Sequence, residues 1–358
     1  LISLSSSLFD KSQPKRKEEI AKMLLFAFSE KKDYSKALEY ANFLDQQKSN
    51  LTREENYLVA YTYYAIKQYD KAIEYFTKVQ KKDDSLFQYA AYHLGHSYVM
   101  TGQKKYALNS FYEAYQIDKD PTVQEDAMFH FVKLSYELDY YPFNSATKVL
   151  QNYIEKYPNS PRAEEAKEWL ARILISTGNY AEAIEVIKKI KLRSPAINIA
   201  YQKASLNMGF QLYNQQNYSA ALASFAEVLR NNFDRTYYAK ALYWTGEVLF
   251  LLQNYDSAYQ YYKQFVQYPA SERVEEYAYG YYSLGYAQIK LQKYDEAIHS
   301  FKTFLNLAKN ETNSLLIDAQ LRLADCYYKQ KNTDEALKNY ESVYKKKSEQ
   351  ADYALYQM

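Results

Sequence analysis

The stretch "AYHLGHSYVMTGQKKYALNSFYEAYQID", residues 91–118, decides the fold. Two apolar runs of helical period flank Thr101-Gly102-Gln103; the first carries Gly95 in its interior, and the second carries Ala107 followed by Leu108. That order predicts a helix, a tight turn and a second helix.

The Ala-centred step recurs along the whole chain, at Ala37, Ala72, Ala107, Ala146, Ala183, Ala221, Ala258, Ala297 and Ala336, with successive spacings of 35, 35, 39, 37, 38, 37, 39 and 39 residues. Such a period is too short for a globular domain and fits a helical hairpin plus two turns. Four residues after the alanine stands a large apolar group, as in Phe76, Phe111, Leu150, Ile187, Phe225, Tyr262, Phe301 and Tyr340. Seven residues after it stands another, as in Val79, Ile190, Val228, Phe265, Phe304 and Val343. Together they form the apolar stripe of one amphipathic helix, helix B.

The preceding helix A carries a small residue twelve positions before the alanine: Gly95, Gly209, Gly246 and Gly285, or Ala60, Ala171 and Ala324. The expectation is that it faces a small residue of helix B, so that the two axes approach closely. Gly102 and Gly178 lie five positions before the alanine, where helix A must stop and a left-handed cap is needed. Pro121, Pro158, Pro161, Pro195 and Pro269 fall between one helix B and the next helix A, where they start or end helices.

Bulk composition agrees. Only 7 Gly and 7 Pro occur in 358 residues, too few for the turns of a sandwich or barrel. Lys and Arg total 45 against 43 Asp and Glu, so a net charge of +2 supplies no field for steering onto nucleic acid, and no nucleic-acid partner is expected. No run approaches the roughly 18 apolar residues of a membrane span. A single cysteine, Cys326, excludes an internal disulfide.

With "YSLGYAQIKLQKYDEAIHSFKTFL" (282–305) as a second clear copy, the pattern resembles the tetratricopeptide (TPR) repeat family. The resemblance implies an all-α, right-handed superhelical solenoid of about nine helical hairpins. It implies a lead-in over 1–17, one continuous array over 18–349 with an irregular fourth copy near 139–146, and the start of a further repeat at 350–358. An uncapped last helix and the lack of an initiator Met lead us to expect a segment of a longer protein, in which a catalytic domain outside the segment is one alternative. "YPNSPRAEEAKEWLA" (157–171) is also similar to the inter-repeat stretch of bacterial envelope TPR proteins, such as the outer-membrane assembly lipoproteins and the Tol–Pal-associated coordinator. That similarity implies the periplasm or cell envelope, with the cytoplasm as the alternative.

Catalytic signatures are missing from the sequence: there is no phosphate-binding glycine loop, no H-E-x-x-H and no G-x-S-x-G elbow. The expectation is no enzyme, no cofactor and no metal. His93 and His96, three apart on one helix, lack a Cys or carboxylate partner at recognisable spacing and read as interface or surface histidines. Cys326 reads as a small buried thiol. Glu164/Glu165 and Asp83/Asp84 read as charges at helix starts, and the Lys15–Lys17, Lys188–Arg193 and Lys345–Lys347 clusters as solvated helix ends or linkers.

Tyrosine is the unusual residue, with 43 copies beside 17 Phe and 2 Trp. Tyr34, Tyr69, Tyr180, Tyr218, Tyr255 and Tyr294 all open helix B, and Tyr63, Tyr98 and Tyr327 share a packing slot in helix A. The family resemblance implies that helix A lines the concave surface. Its free face reads Tyr57, Tyr61 and Tyr64, then Tyr89, Tyr92 and His96, then Phe210 and Tyr213. It continues with Tyr243, Glu247 and Phe250, then Tyr279, Tyr282 and Tyr286, and ends with Asp325 and Tyr328. Spacings of three, four and seven put each set on one helical face. Aromatic side chains with a polar tip suit an interface that grips a protein or peptide. Two alternatives stay open: the rings pack between repeats, or they stack on a glycan as part of an envelope-organising module. The Lys/Asn carboxylate clamp of TPR co-chaperones is absent, with Tyr57/Tyr61, Tyr92/His96 and Tyr282/Tyr286 at corresponding positions.

Overall fold

The computed structural model describes residues 8–138, 146–308, 314–346 and 349–358. Among them there is no strand. The helices are α1 (Pro14–Glu30), α2 (Tyr34–Gln46), α3 (Arg53–Ala65), α4 (Tyr69–Phe76), α5 (Ser85–Met100), α6 (Lys104–Tyr115), α7 (Pro121–Leu138), α8 (Ala146–Lys156) and α9 (Ala163–Ser176). They continue as α10 (Tyr180–Lys188), α11 (Pro195–Asn214), α12 (Tyr218–Arg230), α13 (Arg235–Leu251), α14 (Tyr255–Gln267), α15 (Tyr277–Lys290), α16 (Tyr294–Leu307), α17 (Ser314–Lys329), α18 (Thr333–Lys345) and α19 (Ala351–Gln357). A short 3-10 turn, Ser271–Arg273, precedes α15.

Two compact units divide the chain, residues 1–173 and 174–358, with the division inside α9. In the first unit, helices pack on their sequence neighbours as the pairs α1/α2, α3/α4, α5/α6 and α7/α8. In the second, α11/α12, α13/α14, α15/α16 and α17/α18 do the same, and α19 packs on α18. Each unit is therefore a stack of helical hairpins, the all-α solenoid class that the repeat predicts. The irregularity expected near 139–146 falls on residues 139–145, outside the described residues.

The recurring slots explain why the chain folds this way. Six helices B begin on the tyrosine three residues before the anchoring alanine, from Tyr34 to Tyr294. The alanines themselves are fully buried, as at Ala37, Ala72, Ala107, Ala183, Ala221, Ala258 and Ala297. The turn between the helices needs a left-handed residue, and Gly102 (φ +77°) and Gly178 (φ +80°) supply it. Other copies hold a longer side chain there: Lys32, Lys67, Gln216, Gln253, Gln292 and Lys331 all have φ near +60°. Pro121 and Pro195 stand at the first helical position of α7 and α11.

One expectation is corrected. The helix A glycine does not face a small residue of helix B; it makes room for the large ring four residues after the alanine. A Cβ on Gly95 would lie 2.8 Å from Phe111, one on Gly246 2.6 Å from Tyr262, and one on Gly285 2.8 Å from Phe301. Helix A thus presents bare backbone to an aromatic face, and the ring rather than the glycine sets the spacing.

A clamp, buried at Gln88 and Gln202 and partly buried at Arg53, joins each of three hairpins to the linker that follows it, and periodicity alone does not announce it. Gln88 of α5 donates through Nε2 to the carbonyl of Ile117 (2.7 Å) and accepts at Oε1 from the N–H of Asp120 (2.8 Å). Gln202 of α11 repeats this with Asn231 (2.7 Å) and Asp234 (2.7 Å). Arg53 of α3 donates to the carbonyl of Gln80 and to both oxygens of Asp84. All three stand nineteen residues before their anchoring alanine. Asp84, Asp120 and Asp234 in turn accept N–H groups at the start of α5, α7 and α13, so one clamp fixes both the linker and the next helix start. Among the described residues, no helix is long and apolar enough to cross a membrane.

Candidate functional site

The face of helix A that carries the spaced tyrosines has a different chemistry in each unit. In the first unit, Tyr57, Tyr61 and Tyr64 of α3 lie in contact, with ring centroids 6.0 and 5.8 Å apart. His93 of α5 closes on Tyr61 and Tyr64 at 4.9 and 4.8 Å. Burial, reinforced by His96, pushes the His93 pKa down to about 3, so the imidazole is neutral at pH 7.

Tyr89 donates to Asp120 (2.5 Å), and Tyr92 donates to Asp126 Oδ2. The guanidinium of Arg162 holds the other oxygen, Oδ1. Burial works against the Asp126 carboxylate, but the bonds from Tyr92 and Arg162 keep its pKa below the usual value. His96 lies 4.7 Å, centroid to centroid, from His130 of α7, and both rings pack on Phe111, at 5.1 and 5.0 Å. Burial brings His96 to about 4, helped by His130 and opposed by Asp126, and it lowers His130 as well. His93 and His96 thus part company: the first faces Tyr61 and Tyr64, the second faces His130 and Asp126. Asp126 and His130 escaped the sequence reading. Their spacing of four was visible, but only the register between copies brings them to His96.

In the second unit, Phe210 and Tyr213 of α11 pack on Trp244 of α13, both at 5.2 Å. Tyr243 is 9% exposed and packs against Phe265 at 5.4 Å, so it belongs to the core more than to the face. Tyr279 is half-buried over Phe304, at 6.2 Å. Glu247 accepts at Oε1 from Tyr262 (2.8 Å) and Ser283 (2.6 Å). These three, with Phe250, Tyr282 and Tyr286, line a cavity of about 240 Å³. Tyr286 also borders a second cavity of about 340 Å³, whose walls include Arg322, Asp325, Tyr328 and Tyr353. Tyr328 is the most exposed ring of the face, at 53%.

Asp318, at the start of α17, accepts from both Tyr282 (2.8 Å) and Tyr286. Arg322 reaches Asp318 (3.4 Å) and Asp325 (2.6 Å), while Tyr340 and Tyr353 donate to Asp325 at 2.7 and 3.3 Å. Burial raises the Asp325 pKa in spite of Tyr340 and Arg322. Many of the tyrosines therefore serve between repeats: their rings pack and their hydroxyls tie one helix A to a carboxylate of the next. Cys326 is buried as expected, and burial, with Asp325 beside it, pushes its thiol up to about 12. A thiol so held stays protonated at neutral pH.

Three family profiles described as Tetratricopeptide repeat match this chain, over residues 56–81, 143–196 with 207–272, and 276–348, together more than half of its length. The chain belongs to the tetratricopeptide repeat family, whose repeats build scaffolds for protein partners and are generally non-catalytic. No curated protein matches it. Among solved structures, MamA is 20% identical, with 51% of this chain and 98% of that chain covered and a TM-score of 0.38. The TPR domain of P58(IPK) is 20% identical, with 95% and 96% covered and a TM-score of 0.29. The C-terminal part of a TPR repeat-containing protein from Cytophaga hutchinsonii is 16% identical, with 74% and 98% covered and a TM-score of 0.39.

Proposed function

We propose that residues 18–349 are a non-catalytic scaffold that holds a peptide or protein along the tyrosine-lined face of its helices A. The observation that carries this reading is the pair of adjoining cavities in the second unit, where Glu247, Phe250, Tyr282, Tyr286, Asp325 and Tyr328, all on that face, meet. Concave sites with aromatic walls and a few fixed polar groups are where small segments of a partner find both burial and direction. In the first unit, Tyr57, Tyr61, Tyr64, Tyr89, Tyr92 and His96 would serve in the same way; in the second, Tyr213, Tyr243 and Tyr279 support the rings that touch the partner.

Selection of a displayed peptide library on the full chain, followed by affinity measurement with the selected peptide, tests the reading. Tyr282→Ala with Tyr286→Ala should weaken binding by about tenfold or more, with helicity unchanged. Tyr282→Phe with Tyr286→Phe keeps the rings and should lose less. Unchanged affinity in the alanine variant would place the partner elsewhere, and collapse of helicity would show the rings to be core. Binding to an arrayed glycan, with no peptide selected, would overturn the reading in favour of an envelope or carbohydrate module.

A further inference from the structure

The geometry points to a binding site for a late first-row divalent cation of the zinc class in the first unit, formed by His96, Asp126 and His130. Among the described residues, one donor atom from each of these three lies within 4.8 Å of the others. His130 Nε2 is 3.6 Å from Asp126 Oδ2, and His96 Nε2 is 4.0 Å from the same oxygen. Donors around a tetrahedral zinc, bound at about 2.0–2.1 Å, stand roughly 3.3 Å apart. The two measured edges therefore need to close by less than about 1 Å, a side-chain adjustment.

The arrangement follows from the repeat. Asp126 and His130, four apart on α7, share one face one turn from each other. His96 comes from α5, the equivalent helix of the preceding hairpin, and Phe111 supports both imidazoles from below. A carboxylate oxygen has two lone pairs; Tyr92 takes one at Oδ2, which leaves the other for an ion between that oxygen and the two imidazoles. Arg162 occupies Oδ1, the far oxygen, so the carboxylate is oriented from two sides, as ligating carboxylates are in metal sites. The Arg162 charge sets the affinity lower than the donor set alone would give. The side chains of His96, Asp126 and His130 remain 23, 19 and 28% exposed, and Tyr92, Asp126 and Arg162 line a cavity of about 560 Å³ beside them. A fourth position is thus open to water or to a partner's side chain.

Two nitrogens and one oxygen suit zinc, cobalt, nickel or copper rather than calcium or magnesium, which prefer all-oxygen sets. The ion would fasten α5 to α7. This inference rests on observations separate from the two cavities that carry the peptide-binding reading, although His96 and Tyr92 also stand on the face proposed for the partner.

The test is equilibrium dialysis of the tag-free full chain against zinc, together with the absorption spectrum of the chain loaded with cobalt(II). One ion per chain is expected, with the intense visible bands of cobalt in a tetrahedral site. His96→Gln and His130→Gln should each weaken retention by about tenfold or more, while His299→Gln, a change at an exposed histidine of the second unit, leaves it unchanged. Retention equal in wild type, His96→Gln and His130→Gln would overturn the site. So would a wild-type cobalt spectrum no different from that of the hydrated ion, a result that needs no variant to fold.

Discussion

Two hubs, one in each unit, use the same frame for different ends. In the first, Tyr92 of one helix A donates to Asp126 of the next, and His130 stands one turn after the aspartate. In the second, Tyr282 and Tyr286 donate to Asp318 of the next helix A, and Arg322 stands one turn after the aspartate. Replacing His130 by Arg322 at this place changes the hub from a set of lone-pair donors into a closed ion network, because Arg322 spends its charge on Asp318 and Asp325. The lesson is that the tyrosine–aspartate bridge joins the repeats, and the residue one turn later decides what else the joint can do.

Both units hold one tryptophan, Trp169 in the first and Trp244 in the second. Trp244→Phe and Trp169→Phe backgrounds therefore let urea unfolding report on each unit alone, and four changes can break or sharpen the comparison. The largest effect is expected from Phe111→Ala and Phe301→Ala, each a fully buried ring over a glycine. Each should cost its own unit about 3–5 kcal/mol. An equal loss in both reporters for either variant would show that the units do not unfold separately.

Acid comes next, and it should separate the units. His93 is neutral when folded down to about pH 3, whereas the unfolded chain protonates it near pH 6.5. The unfolded state then binds the extra proton, so stability is complete above about pH 6.5 and falls as pH drops below it. Between pH 7 and 5 the Trp169 reporter should show a loss of up to about 2 kcal/mol from this residue. His93→Phe should reduce the slope, the remainder coming from His96 and His130, whose pKa values burial also lowers. The second unit's histidine, His299, is exposed, so the Trp244 reporter serves as the reference for this comparison. An unchanged slope in His93→Phe would refute this account.

Tyr92→Phe and Tyr286→Phe each remove one donor from a shared carboxylate and should cost about 1–2 kcal/mol. The Tyr286 change should be the milder, because Asp318 keeps Tyr282 and Arg322. The smallest effect is a gain. Lys67 (φ +67°) and Gln253 (φ +61°) hold the left-handed turn where Gly102 holds it elsewhere. Lys67→Gly and Gln253→Gly should each stabilise their unit by about 0.5–1 kcal/mol, read as an increase in urea midpoint; a decrease would mean that the side chain contributes more than the strain costs.

Which parts were legible follows from the range of each interaction. The alanine slots, Gly102 and the tyrosines that open helix B express the conformational needs of a single helix or turn, so their spacing announced the hairpins. The Gly95–Phe111 contact was misread because the sequence shows that a small residue is needed without showing which partner fills the space. Gln88, Gln202 and Arg53 were missed although they share a slot, since their partners are backbone atoms of a linker whose path depends on the hairpin. The site that gathers His96, Asp126 and His130 spans 34 residues of sequence and two helices, and its geometry depends on how consecutive hairpins cross. Tyr243 shows the same limit: its place on the helical wheel was right for the free face, yet the rings of Tyr262 and Phe265 cover it.

The clamp at Gln88 also orders events in time. Its amide is buried in the finished protein, but its partners at Ile117 and Asp120 are made about thirty residues later. On the ribosome, α5 emerges with that amide still hydrated, and it can lock only after α6 and the following linker have left the exit tunnel. Each clamped hairpin is therefore sealed by the stretch that begins the next one, which gives a symmetrical-looking stack a direction of growth.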